Sequence, residues 1–227
     1  MAMSLAQQKY PRTPHLPFSP GVSADDIVLV SSKDTALPIL SQETVLTEKL
    51  DGGNCSIYNG KVYARTVTNE VSHASFGPIK ELASQISYLI PDNVQLFGEN
   101  MFGIHSIEYD QLTSFFYLFG VLENRRDWWS WDHMTELANE IGVPTVPMVT
   151  KQQMVSMDVA QSVIAKKMSH KSLCGTCTPE GFVIRTVAGF PFDQLENHVA
   201  KYVRAGHVQT DDSWRRTWRQ AKLRHHT

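Results

Sequence analysis

The run Thr47-Glu48-Lys49-Leu50-Asp51-Gly52-Gly53-Asn54 puts an amine, two carboxylates and a pair of glycines side by side. A lysine attacks an electrophile only as the free amine, a state reached through burial or neighbouring cations. Glycines let the backbone turn tightly and come close to a ligand. Alone, the run reads equally as a hairpin turn carrying surface charges, since Asp-Gly is a common turn pair. Further on come Glu99 in LFGENMFG, Phe119 in FYLFGV, Glu180 and Arg185 in EGFVIR, and Lys201 and Arg204 in AKYVR. Together they offer a nucleophile, carboxylates suited to a hard cation or to sugar hydroxyls, a flat ring for a base, and cations for phosphate. Nucleotidyl transfer needs this set.

The elements that must position these groups are short. From Asp26 onward the chain alternates apolar runs with turn residues, and Asn59-Gly60 splits residues 56–68 as a two-residue hairpin turn. After Gly77-Pro78, Ile79, Leu82, Ala83, Ile86 and Ile90 recur at helical spacing. Residues 93–109, 115–122, 180–187 and 198–204 read as strands, rich in aromatic and β-branched residues. Residues 132–141 read as a helix stopped by Gly142, and 157–168 as another. Strands with isolated helices and no strict βαβ rhythm predict an α+β domain on antiparallel sheets.

The chain has 227 residues, 42% hydrophobic and 19% charged, which is ample for a core and excludes a disordered chain. A formal charge of -2 excludes a wholly basic surface and leaves a local basic groove open. No apolar run approaches the roughly 18 residues of a membrane span. The start lacks a basic and apolar leader pattern, and three cysteines imply no disulfide framework. The expectation is a cytoplasmic protein, with the nucleus not excluded.

The ordered motifs over residues 45–214 resemble the covalent nucleotidyltransferase superfamily of polynucleotide ligases and capping enzymes. The TEKLDGGN form and the trailing HVQTDDSW resemble its nick-sealing, ATP-dependent RNA ligases. The resemblance implies a nucleotidyltransferase domain of antiparallel sheets flanked by helices, without a C-terminal OB domain. It implies that Lys49 attacks the α-phosphate of ATP to form lysyl-AMP. The nucleotide would be bound by the backbone at Glu48 and by Asp51, Gly52, Arg65, Glu99, Phe119, Lys201 and Arg204. Asp51 and Glu99 would face the ribose, and Phe119 would stack on adenine. His73 and Phe76 fall at the pocket rim. Glu180 would hold the metal, Mg2+ or Mn2+. Val203 and Gly120 stand where relatives carry a second lysine and an aspartate, and Arg204 is the substitute expected for that lysine. The substrate implied is RNA with 3′-OH and 5′-phosphate ends, as in RNA repair, with a partner protein or oligomer supplying further contacts. Alternatives are a DNA ligase, a GTP-using capping-type enzyme, and a non-catalytic RNA-end-binding module.

Three units are expected: a Pro-rich arm over residues 1–22, the catalytic domain over 23–204, and a basic helical tail over 205–227. In the arm, Pro11, Pro14, Pro17 and Pro20 recur with the polyproline period, either as a docking ligand or lying on the domain. In the tail, Trp214, Trp218 and Ala221 share one helical face, and arginines cover the others. Cys174 and Cys177 form a CxxC, read as a turn or as part of a metal or redox site. Trp128, Trp129 and Trp131 beside Arg125 and Arg126 suit nucleic-acid stacking or internal packing alike.

Overall fold

The computed structural model describes residues 7–29, 37–65, 71–207 and 219–224. In chain order come α1 (Pro38–Ser41), β1 (Glu43–Lys49), β2 (Gly53–Tyr58), β3 (Lys61–Ala64), α2 (Gly77–Ile86), β4 (Val94–Asn100), β5 (Gly103–Ile104) and β6 (Phe116–Glu123). Then come β7 (Asp127–Trp128), α3 (Trp131–Glu140), β8 (Met148–Gln153), α4 (Met157–Met168), β9 (Gly181–Thr186), β10 (Phe190–Pro191), α5 (Leu195–His198), β11 (Val199–Val203) and β12 (Arg219–Gln220). The larger sheet runs β10-β7-β6-β4-β2-β3 and the smaller β11-β9-β1-β8, with β12-β5 as a separate pair. The pairings between these strands are antiparallel. No helix among the described residues is long and apolar enough to cross a membrane.

Local chemistry accounts for the boundaries. Asn59 and Gly60 both take positive φ (48° and 69°), as a twist-matched hairpin between β2 and β3 requires. Ser130 and Ser156 cap α3 and α4 by accepting the N–H groups of His133 and Val159. Gly142 ends α3 with φ of 69°. Strand alternation then divides the side chains. On β9, Phe182 and Ile184 join Leu16, Ile39, Leu46 and Ile164 beneath α1 and α4. Val183 and Arg185 turn the other way, into a cavity between the sheets. A second cluster built on Leu96, Phe116, Met134 and Leu137 fills the far side of the larger sheet.

Two expectations change here. Of residues 93–109, only 94–100 and 103–104 are strand, because the stretch beyond wraps around Asp51 as a loop. Residues 210–218 of the expected tail helix lie outside the described residues, and residues 219–220 are extended rather than helical. Arg219 and Gln220 pair with Ile104 and Gly103, and Ala221 is buried with its N–H on the Phe102 carbonyl. Pairing with β5 overrides the helical period there.

The Pro-rich arm lies against the smaller sheet. Lys201 donates its N–H to the Pro14 carbonyl, and Leu16 donates to Lys201, each at 2.8 Å. Leu16 is fully buried.

Candidate active site

The cavity between the sheets measures about 630 Å³. Lys49 stands at the end of β1, with Thr47 and Val183 beside it on one wall. Glu99, Asn54 and Phe119 line the facing wall, from β4, β2 and β6. Gly52 makes the approach possible, since a Cβ there would come within 2.6 Å of the Asn100 carbonyl and the Met101 sulfur. A β-bulge aims Phe119 inward. Phe97 pairs with Gly120 and Gly98 with Leu118, so Phe119 is the extra residue. The Arg185 guanidinium donates to the Phe119 and Trp129 carbonyls and secures the bulge. Burial lowers its pKa to about 10. The Trp128 ring fills the space beside Gly120, only 3.1 Å from where a Cβ would sit.

Lys49 Nζ lies 2.7 Å from both oxygens of Glu180. Burial favours the free amine, but the Glu180, Glu99 and Asp51 carboxylates outweigh it and hold the ammonium above its ordinary pKa. Glu99 is pushed up to about 8, by burial first and then by Glu180 and Asp51, against the pull of Lys49. The Glu48 side chain turns away from the cavity. Its carboxylate accepts from the Ser172 hydroxyl and the Leu173 N–H, so only its backbone is left to face a ligand.

The sequence-predicted residues therefore separate. Lys49, Glu48, Gly52, Glu99, Phe119 and Lys201 line the cavity, with Arg65, His73 and Phe76 at its rim. Asp51 does not face the space open to a ribose. Its Oδ2 accepts from the Ser106 N–H (2.8 Å), the Ser106 hydroxyl (2.7 Å) and the Ile107 N–H (2.8 Å), because the turn after Lys49 swings it behind the strand. Arg204 also departs from expectation. It follows Val203 on the opposite face from Lys201 and is not a cavity residue; its N–H donates to the Glu180 carbonyl at 3.0 Å.

Glu180 and Asp51 meet a residue that the motifs did not assign. His207 Nε2 lies 3.4 Å from Glu180 Oε1 and 3.5 Å from Asp51 Oδ1. One ligand atom from each of Asp51, Glu180 and His207 falls within 4.8 Å of the others. Carboxylate oxygens with an imidazole nitrogen suit a divalent cation that accepts mixed ligands, such as manganese. The only sequence signal for His207 is its place at the head of HVQTDDSW. Tyr10 carries no sequence signal at all; it packs edge-on to Phe119, with centroids 5.1 Å apart, and closes one end of the cavity.

The remaining motifs resolve as packing. Trp128 is buried among Phe97, Phe190 and Phe192, Trp131 lies in the core, and Trp129 stacks on His133. The CxxC follows directly on Ser172 and Leu173, the residues that clamp Glu48, and Thr176 within it donates to Asp110. All three cysteines are free thiols.

A family model described as RNA ligase matches residues 42–203, most of the chain. The chain belongs to the RNA ligase family. No curated protein matches the sequence. Among solved structures, this RNA ligase family member is similar to a mutant of the Naegleria gruberi RNA ligase with ATP and Mn. The TM-score is 0.56 at 17% identity, covering 74% of this chain and 52% of that one. The Naegleria gruberi RNA ligase with PPi gives 0.55 at 19%, over 78% and 56%. An archaeal ATP-dependent RNA ligase gives 0.56 at 16%, over 87% and 48%. The ligase fold is thereby shown, and the chain spans about half the length of these relatives.

Proposed function

We propose that the protein is an ATP-dependent RNA ligase that joins RNA 3′-OH and 5′-phosphate ends through lysyl-AMP, in RNA repair inside the cell. The observation that carries this is Lys49, set at the cavity wall with Glu99, Phe119 and Lys201 around the same space. Family membership and the ATP, Mn and PPi bound in the similar structures support it.

The geometry supports the following chemistry. Phe119 stacks on adenine, and the Glu48 backbone runs along the base edge. Glu99, protonated below about pH 8, can donate to a ribose hydroxyl or accept from one. Lys201 receives the α-phosphate. Lys49 Nζ then attacks the α-phosphorus; an N–P bond forms and the bond to pyrophosphate breaks. Before this, Lys49 must lose a proton that the Glu180 pair now retains. A divalent cation held by Asp51, Glu180 and His207 supplies, when bound, neutralising charge on phosphate oxygens. An RNA 5′-phosphate oxygen next displaces Lys49 from phosphorus, and finally a 3′-hydroxyl attacks the activated phosphate and AMP leaves.

The test is adduct formation with ATP labelled on the α-phosphate, in the presence of magnesium or manganese. A labelled band on a denaturing gel is expected from the native protein and none from Lys49→Ala. Labelling by GTP instead would support the capping-type alternative. Sealing of nicked DNA but not RNA would support the DNA ligase. No adduct with either nucleotide would leave the RNA-end-binding reading.

A further inference from the structure

Lys201 reaches the cavity attached to the N-terminal arm. Its Nζ lies 3.1 Å from Oδ1 of Asp26. The other Asp26 oxygen accepts from the Ser23 N–H at 3.0 Å and the Ser23 hydroxyl at 2.7 Å, so the carboxylate is fixed independently of the lysine. His15 Nε2 is 3.3 Å from that same oxygen, without hydrogen-bonding geometry, and His15 Nδ1 pairs with Ser19 Oγ at 2.8 Å. Ser19 accepts in turn from the Val203 N–H at 3.0 Å. The arm thus continues the sheet beyond β11, and the turn that follows it, at Ser23 and Asp26, brings a carboxylate to the cation that β11 presents to the cavity. Val203, on the same face as Lys201, is covered by the arm, for a Cβ on Gly21 would come within 2.8 Å of Val203 Cγ1.

A lysine side chain has many rotamers on its flexible four-carbon stem, so an ammonium with no partner does not stay in one place. Burial, with the charges of Lys49 and Arg65, pushes the Lys201 ammonium below its ordinary pKa, and Asp26 opposes them. One ammonium proton satisfies Asp26 and leaves two donors for phosphate oxygens. We propose that Asp26 is a positioning residue for nucleotidyl transfer, holding the Lys201 ammonium charged and directed at the place where the α-phosphate is received. This rests on the ligase reading above.

The experiment is single-turnover formation of the lysyl-AMP adduct by the full chain across ATP concentrations, with melting temperatures alongside. Asp26→Asn should slow the step by about 10- to 100-fold, the scale of a misplaced catalytic group, while half-saturating ATP moves far less. Asp26→Glu should recover most of the rate. In a Lys201→Met background, Asp26→Asn should add no further loss, because it acts through that lysine. Ser23→Ala loosens the carboxylate without removing its charge. It should slow the step in the native background only, which serves if Asp26→Asn does not fold. Full activity in Asp26→Asn or Ser23→Ala, a loss that persists in Lys201→Met, or no recovery by Asp26→Glu would overturn the inference. Absence of any adduct from the native protein would instead overturn the ligase reading, and this inference with it.

Discussion

At the residue scale, the cavity keeps its lysine paired and charged. Lys49 is gripped by Glu180, and Glu99 sits in the same enclosure as a carboxyl that retains its proton. The folded carboxyl keeps that proton to about pH 8, whereas the unfolded one releases it near 4.5. Between those values the folded state binds more protons, so stability declines as pH rises. Melting temperature measured without nucleotide from pH 5 to pH 9, a range chosen to span about that window, should therefore fall more in the native protein than in Glu99→Gln. Equal slopes would mean that Glu99 is ionised in the empty site. Sequence identified the cavity residues Lys49, Glu99, Phe119 and Lys201 because each lies in a recognisable run. It missed the direction of Asp51 and the approach of His207, since a carboxylate's partners depend on a loop more than fifty positions away in sequence.

At the element scale, the β-bulge in β6 matters most. The FYLFGV run announces a strand, but no periodicity reveals that Phe119 is its unpaired residue. Gly120 belongs to the same device, because the Trp128 ring packs where its side chain would be. Gly120→Ala should cost about 1–3 kcal/mol by overpacking, and Gly120→Asp more, read by urea denaturation. Native-like stability in both would show that the ring yields easily. Strands and helices with clean periods were legible, such as α4 at Met157–Met168. The tail was not, because its apolar spacing fits a helix while β5 offers Arg219 and Gln220 a partner strand.

At the scale of the whole molecule, the arm and the domain behave as one body. Sequence marked residues 1–22 as an extended arm, either a docking ligand or lying on the domain, and Leu16 shares a core with Phe182, Ile184 and Ala200. Leu16→Ala should therefore cost about 2–5 kcal/mol, as any buried leucine does, in one cooperative transition. A second, earlier transition for the arm alone would contradict this. The same attachment has a temporal side. Ser19 bonds to Val203 across 184 positions, so the segment that holds Ser19 must wait for a strand synthesised long after it. Contacts of such long separation form slowly. Until they do, Asp26 has no lysine to hold, and the cavity lacks the ammonium that β11 later brings to its wall.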